Sequence, residues 1–150
     1  VSVMDKQTVS GAHGISVVAD KMFADIHLED ADMLLLPGGL PGATNLDAHQ
    51  GLSKMIMAFA SDEKPLSAIC AAPLVFGNRG LLQGKKATCY PGFESYLTGA
   101  EYTAALVETD GNFITAKGPG AAMDFAFAIV EKYCGIEKVN ELKSGMMIKA

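Results

Sequence analysis

Apolar residues along this chain fall into short runs that are separated by glycine, proline and polar positions. Two β-branched runs near the N-terminus, residues 1–4 and 15–18, predict strands with turns between them. Residues 31–36 form a continuous apolar run, and residues 65–69 form a second short one. Runs of this kind are typical of strands that are buried on both faces of a parallel sheet.

The second half of the chain adds three predicted strands, at residues 86–89, 106–108 and 113–116. The dipeptide Asp110-Gly111 lies between the last two strands. It is a strong signal for a two-residue turn, so these two strands are expected to form a hairpin.

Apolar residues recur at helical spacing between the strands. A helix capped by Asn45 or Asp47 has one apolar face, formed by Leu52, Met55, Ile56 and Phe59. Residues 72–79 are helical in composition, and Gly80 ends that segment. These two helices follow the two predicted buried strands directly.

The strongest helix pattern covers residues 121–134 and ends at Gly135, with Phe125, Ile129 and Val130 on one face. A short helix is predicted over residues 137–143. Because strands alternate with helices along the chain, the sequence predicts a doubly wound α/β protein with a mostly parallel sheet between layers of helices.

Length and composition favour one ordinary domain spanning residues 1–150, with 49% apolar residues to fill its core. No apolar run reaches the roughly 18 residues that span a bilayer, and the N-terminus lacks the pattern of a secretory signal. We therefore expect a cytoplasmic protein without membrane contact. The net charge of −5 comes from mixed acids and bases, which argues against direct nucleic-acid binding.

The three cysteines are odd in number and widely spaced, which fits neither a disulfide framework nor a zinc motif. Cys89 and Cys134 are interpreted as packing residues. The histidines show no metal-ligand spacing, and the glycine-rich loops match neither of the common nucleotide-binding motifs. We expect no metal and no cofactor.

Cys70 is the candidate for chemistry, because it lies where a predicted strand meets a predicted helix. At such a turn the sulfur points outward, and the following amides and the helix dipole favour the thiolate. The alternative is a small buried hydrophobe. In open α/β sheets the loops at the carboxyl ends of the strands converge, which would bring together residues 37–45, 70–73 and 117–120.

Backbone amides in these loops could stabilise an oxyanion beside Cys70. The candidates are Gly39 and Ala71, although the glycines could equally serve only a tight turn. The candidate pocket residues come from the converging loops and the end of the strand at 86–89; they are Gly38, Tyr90, Gly118 and Pro119. For Tyr90, packing in the core or at the rim is an equal alternative.

Three segments resemble the ThiJ/PfpI superfamily in order and over nearly the whole chain: LLLPGGLPGATNL (34–46), AICAAP (68–73) and KGPGAAMDFAFAIVE (117–131). The most similar branch holds the parkinsonism-associated deglycase and bacterial ThiJ-like proteins. The resemblance implies a flavodoxin-like sandwich, a homodimer, Cys70 as nucleophile, and an oxyanion site at the amides of Gly39 and Ala71.

The chain departs from the family pattern in two respects. Protease-like members carry a histidine base directly after the nucleophile, where this chain has Ala71, so a cysteine hydrolase is disfavoured. The branch also has a glutamate in its first strand–helix unit that contacts the nucleophile, and this chain resembles the family only beyond that unit. We therefore expect an N-terminally incomplete domain. Tyr90 replaces a histidine of some members, which is a mild change.

The leading hypothesis is a cysteine-dependent, cofactor-free enzyme of the glyoxalase or deglycase type, acting on small dicarbonyls or glycated adducts in stress protection. The alternative is an oxidative-stress protein with redox-sensing or chaperone-like behaviour, in which Cys70 is oxidised without turnover. An exposed, reactive thiol serves both, so the sequence does not separate them.

Overall fold

The computed structural model describes residues 1–27, 29 and 31–148. Its strands are β1 (Thr8–Ser10), β2 (Ser16–Val18), β3 (Leu34–Leu36), β4 (Leu66–Ile69), β5 (Lys86–Ala87), β6 (Glu101–Tyr102), β7 (Val107–Asp110) and β8 (Phe113–Ala116). Its helices are α1 (Gly42–Ala48), α2 (Gln50–Ser61), α3 (Pro73–Gly77) and α4 (Ala122–Gly145). Strands and helices alternate through the central part of the chain, as the sequence pattern predicts.

The main sheet has four strands in the order β3-β4-β8-β7. The first three are parallel, with Leu36 opposite Ala68 and Ala68 opposite Thr115. The fourth strand, β7, runs antiparallel to β8 through the hairpin. The prediction of a flavodoxin-like, mostly parallel sheet is confirmed.

Each face of this sheet packs into its own apolar cluster. The neighbours Phe113 and Ile114 of β8 belong to different clusters, because successive strand residues point to opposite faces. The larger cluster takes the buried face of α2, formed by Leu52, Met55, Ile56 and Phe59, together with α3. The smaller cluster joins Ile114 and Ala116 to Phe125 at the start of α4.

The hairpin of the main sheet turns one residue later than predicted. β7 extends to Asp110, which pairs with Phe113, so the turn residues are Gly111 and Asn112 rather than Asp110 and Gly111. Gly111 has a φ of 62°, a conformation that glycine adopts readily. The Asp110 carboxylate accepts a hydrogen bond from the Lys86 amide at 2.8 Å, which gives this residue a role at the strand end.

The N-terminal strand assignments need correction. Residues 1–4 do not form a strand; Ser2 makes only a single parallel bridge to Met22. The partner of β2 is instead β1, which the sequence did not indicate, and the prediction at 15–18 begins one residue early. Since β1 and β2 are mostly exposed, their sequences lack the apolar alternation that marks a half-buried strand.

The helix bounds also differ from the prediction. His49 caps α2, accepting a hydrogen bond from the Leu52 amide at 2.9 Å, whereas Asn45 and Asp47 lie inside α1. α3 is shorter than residues 72–79. After α3 the chain continues in tight turns with hydrogen bonds between residues i and i+3; for example, the Gly80 N–H donates to the Gly77 carbonyl at 2.9 Å.

The helix predicted for residues 121–134 and the one predicted for 137–143 form a single long element, α4. Gly135 interrupts it with a φ of 79° and a ψ of 168°, so the predicted stop is present as a kink. In the part of the chain that the structure describes, no helix combines the length and apolar character needed to cross a membrane.

β3 lies at the edge of the main sheet, with β4 on one side only. An apolar groove of about 400 Å³ runs along its other side and contains Val1, Val3, Phe23, Leu34 and Met55 in its wall. The expected strand–helix unit that would complete the domain stays a prediction, and this groove is the feature of the described fold that bears on it.

Candidate active site

The carboxyl ends of β3, β4 and β8 lie side by side, since these three strands are parallel and adjacent. The loops that follow them begin at Pro37, Cys70 and Lys117. Two contacts show that the loops meet. The Cys70 amide donates to the Ala116 carbonyl at 2.9 Å, and Gly38 lies against Cys70.

Cys70 occupies a strained turn between β4 and α3. Its φ is 65°, in the left-handed region that costs a non-glycine residue about 1 to 2 kcal/mol. The turn is held on both sides, because the Cys70 carbonyl also accepts a hydrogen bond from the Tyr90 amide at 2.8 Å. The thiol residue is partly exposed, so the fold holds a reactive side-chain type in an unfavourable backbone conformation that leaves it accessible.

Gly38 makes room for this turn because it has no side chain. A β carbon built on it would lie 2.4 Å from the Cys70 β carbon and 2.5 Å from the Ile69 carbonyl oxygen. Contacts this short do not occur between real side chains, so only glycine fits. Gly38 is not among the residues that form the wall of the cavity described below, and its assignment as a pocket residue stays a prediction. Its lack of a side chain lets the β3 loop approach the cysteine.

The two amides expected to face an oxyanion lie on either side of the Gly38 contact. The Ala71 nitrogen is 3.2 Å from a β carbon built on Gly38, and Gly39 is the next residue in that loop, with a φ of 85°. Within the described residues, the N–H groups of Gly39 and Ala71 have no hydrogen-bond acceptor. Free donors near a thiol are what an oxyanion site requires.

A second feature is a cavity of about 240 Å³ beside the Cys70 turn. Its wall is formed by Tyr90, Pro91, Leu106, Lys117, Gly118, Pro119, Gly120 and Ala121. Three of the four candidate pocket residues, Tyr90, Gly118 and Pro119, are thus brought together. Both chain segments that hydrogen-bond to Cys70 continue into this wall, through Tyr90 and Lys117.

Lys117 is the charged residue of this wall; the sequence interpretation placed it in a converging loop but did not name it as a pocket candidate. Its ammonium donates to the Ala104 carbonyl at 3.2 Å. It also contributes to lowering the pKa of Glu94, after the larger effect of hydrogen bonds from the Glu94 and Gly92 backbone. Its position directly after β8, in one of the three converging loops, was the available signal.

The other two cysteines differ from each other. Cys89 is completely buried, as predicted, although it follows β5 rather than lying within it. Burial raises the pKa of its thiol to about 11, with smaller contributions from Glu94 and Cys70. Cys134 is exposed, so its interpretation as a packing residue is wrong. Phe125 packs into the smaller core cluster and so marks the side of α4 that faces the sheet, whereas Cys134 lies beside the kink at Gly135.

No group of three histidine, cysteine, aspartate or glutamate side chains that could hold a metal occurs among residues 1–27, 29 and 31–148.

The fold and this turn define a flavodoxin-like α/β protein with a cysteine at its strand-to-helix elbow. A model of the DJ-1/PfpI family matches residues 1–132, and the chain belongs to that family. The oxidised DJ-1 structure from Toxoplasma gondii superposes with a TM-score of 0.92 at 30% identity, covering 99% of this chain and 81% of that one.

Two relatives illustrate the range of the family. The protein DJ-1 homolog B of Arabidopsis thaliana is 41% identical over 150 residues, covering 99% of this chain and 34% of that protein. A deglycase of Pyrococcus horikoshii is 32% identical over 122 residues, covering 79% of this chain and 72% of the deglycase. The chain thus spans only about a third of the Arabidopsis relatives' length.

Proposed function

We propose that the chain carries the thiol centre of a cofactor-free enzyme that acts on small reactive dicarbonyls or their adducts, in protection against chemical stress. The supporting observation is the Cys70 turn, where a strained and partly exposed cysteine adjoins the free amides of Gly39 and Ala71. The deglycase named among the relatives supports the same reaction class.

In the proposed reaction, the Cys70 thiolate adds to the aldehyde carbon of methylglyoxal, and the carbonyl electron pair moves onto oxygen. The amides of Gly39 and Ala71 donate hydrogen bonds to that oxygen, and its protonation gives a hemithioacetal. The strained turn keeps the sulfur at the surface of the site. This step uses only groups within the described chain.

The next step moves the aldehyde hydrogen as a proton to the neighbouring carbon and yields a thioester of lactate. Water then releases lactate and returns the thiol, so the sequence is redox-neutral. The proton transfer needs a general base, a contribution worth about a hundred- to ten-thousand-fold in rate. We expect a carboxylate outside this sequence to supply it, as the family resemblance implies, and we include a homodimer in the proposal.

The test measures methylglyoxal consumption and lactate formation by the protein that includes the expected carboxylate-bearing strand–helix unit, and by two cysteine variants of it. Cys70→Ser is expected to reduce both to the uncatalysed background. Cys134→Ser changes an exposed cysteine on α4 and is expected to retain the parent rate. Full turnover by Cys70→Ser would overturn the mechanism.

A second candidate function is redox sensing at the same thiol. It is favoured by the similarity to a DJ-1 structure captured in an oxidised form. Hydrogen peroxide would convert the Cys70 thiolate to a sulfenic acid, with the peroxide reduced to water. Oxygen addition at Cys70 in intact-mass and peptide mapping, without any dicarbonyl turnover, would favour sensing over catalysis.

A further inference from the structure

We propose that Thr115 is a positioning residue for the Cys70 turn. Its buried hydroxyl oxygen holds residues 88–90 against the main sheet, and the last of these residues binds the Cys70 carbonyl. This inference rests on the proposed function, because it concerns the geometry of the same thiol. Its test follows alkylation of Cys70 rather than turnover.

The stretch of chain that begins with β5 is attached to the main sheet through N–H groups at alternate positions. The Lys86 amide donates to a carboxylate at the end of β7 at 2.8 Å, and the Thr88 amide donates to Thr115 Oγ1 at 3.0 Å. The Tyr90 amide donates to the Cys70 carbonyl at 2.8 Å. Because alternate amides of an extended chain point to the same side, these three bonds form one row along the sheet.

The Thr115 hydroxyl is the buried acceptor in this row. β8 is an interior strand, with β4 on one side and β7 on the other, so its backbone groups pair within the sheet. Thr88 and Thr115 are both almost completely buried. A buried N–H without an acceptor is costly, so the Thr88 amide depends on this side-chain oxygen.

Two neighbouring residues of β8 therefore hold the Cys70 turn from both ends. The Ala116 carbonyl accepts directly from the Cys70 amide at 2.9 Å, whereas Thr115 acts on the Cys70 carbonyl through the stretch that ends at Tyr90. The φ of Cys70 is 65°, and such a conformation persists only where the surrounding structure fixes it. Without the Thr115 hydroxyl, we expect the turn to relax and the sulfur to become less accessible.

The experiment measures the rate at which iodoacetamide alkylates Cys70, with peptide mapping, in the same protein as the turnover test. Thr115→Val keeps the shape of the side chain and removes the acceptor. The rate should fall by about tenfold, the factor that one lost buried hydrogen bond supports. Thr115→Ser keeps the hydroxyl and should retain the parent rate. Thr115→Ala tests the same contact if valine prevents folding.

Hydrogen exchange gives a second readout at the contact itself. The Tyr90 amide should exchange faster in Thr115→Val than in Thr115→Ser, because only the serine variant keeps the acceptor for the Thr88 amide. Ile114→Val is the matched control, since Ile114 is the preceding residue of β8 and packs into the cluster on the other face of the sheet. It should lower stability and leave the alkylation rate unchanged.

An equal loss of alkylation rate in Thr115→Val and Ile114→Val, or a serine variant as slow as the valine variant, would overturn the proposal. Alkylation of Thr115→Val at the parent rate would do the same. The proposed function would stand in each case if the parent protein turns over methylglyoxal through Cys70. Absence of that turnover would refute the proposed function, whatever the alkylation rates show.

Discussion

A β carbon on Gly38 would lie 2.4 Å from the β carbon of Cys70, so the loop after β3 and the turn after β4 touch at a point where no side chain fits. This contact joins two segments that are 32 positions apart in the sequence. It places the free amides of Gly39 and Ala71 on either side of the cysteine. The approach of these loops is therefore a condition for any chemistry at the thiol.

The first prediction concerns this contact. Gly38→Ala should destabilise the fold by about 2 kcal/mol, because the added carbon forces the loops apart against backbone atoms. It should also change the rate at which iodoacetamide alkylates Cys70. Gly42→Ala, at the first residue of α1 and with open space around its β carbon, should change stability by less than about 1 kcal/mol. Equal effects of the two substitutions in urea denaturation would contradict this interpretation.

The second prediction concerns the strain at Cys70. Because its φ of 65° is unfavourable for a residue with a β carbon, Cys70→Gly should be more stable than Cys70→Ala by up to about 1 kcal/mol. The opposite order is expected at Ala126, an exposed position inside α4, where glycine should cost about 1 kcal/mol relative to alanine. Thermal denaturation of the three variants checks both signs. A Cys70→Gly variant less stable than Cys70→Ala would show that the turn is not strained.

The sequence predicted the central part of this fold because burial there leaves a strong pattern. The apolar runs before Pro37 and Cys70 mark β3 and β4. The buried face of α2 is marked by apolar residues that recur at helical spacing. The exposed hairpin of β1 and β2 left no such pattern. Cys134 was predicted to pack in the core because apolar residues precede it in the sequence, but it is exposed beside the kink of α4.

The candidate site was predicted in outline and missed in detail. Convergence of the loops follows from parallel strands, so Cys70, Tyr90 and Pro119 were found together. The close approach of Gly38 to Cys70 was not predicted, since only the three-dimensional structure shows that the missing side chain of Gly38 makes room for Cys70. Lys117 was missed because a lysine after a strand is usually a solvated charge, and the cavity beside it depends on the distant segment at Tyr90.

The third prediction concerns the pH dependence of Cys89. Burial raises the pKa of this thiol from its ordinary value of 9.0 to about 11, so the folded chain holds the proton more tightly than the unfolded chain. Its contribution to stability is complete below pH 9 and is lost as the pH rises to about 11. Over that interval the parent should lose stability relative to Cys89→Ala, by at most about 1.4 kcal/mol per pH unit.

Urea denaturation of the parent and Cys89→Ala at several pH values measures this difference, and alkylation supplies a second readout. Native Cys89 should resist iodoacetamide at pH 8, whereas the exposed Cys134 should react. A constant stability difference between the two proteins from pH 8 to 11 would show that the Cys89 thiol is not held neutral by the fold.

The last prediction concerns a partly buried ion pair beside the loop that faces Cys70. Arg79 forms a salt bridge with Asp47 of α1, and its side chain also donates to Ser53 Oγ at 2.9 Å and to the Val75 carbonyl at 2.6 Å. Its side chain is only 12% exposed. These bonds join α1, α2 and the end of α3, and α1 follows the loop that contains Gly38.

Removing Arg79 from such a pair breaks several hydrogen bonds in a partly buried place, although Asp47 keeps the bond that Asn78 donates to it. Arg79→Ala should therefore cost about 2 kcal/mol, and Arg79→Lys about 1 kcal/mol, because an ammonium cannot reproduce the planar set of donors. Lys138 and Glu141 form a comparable pair on the surface of α4, 45% and 69% exposed. Lys138→Ala should change stability by less than about 1 kcal/mol, since water screens exposed charges.

Urea denaturation of the three variants measures how much stability each one loses. The rate at which iodoacetamide alkylates Cys70 shows whether the substitutions also change the candidate site. If the pair positions the β3 loop, Arg79→Lys should alter that rate while Lys138→Ala leaves it unchanged. If Arg79→Lys loses stability while Cys70 is alkylated at the parent rate, the ion pair holds the helices together but does not position the β3 loop. In that case the Gly38 contact alone would fix the geometry around the thiol.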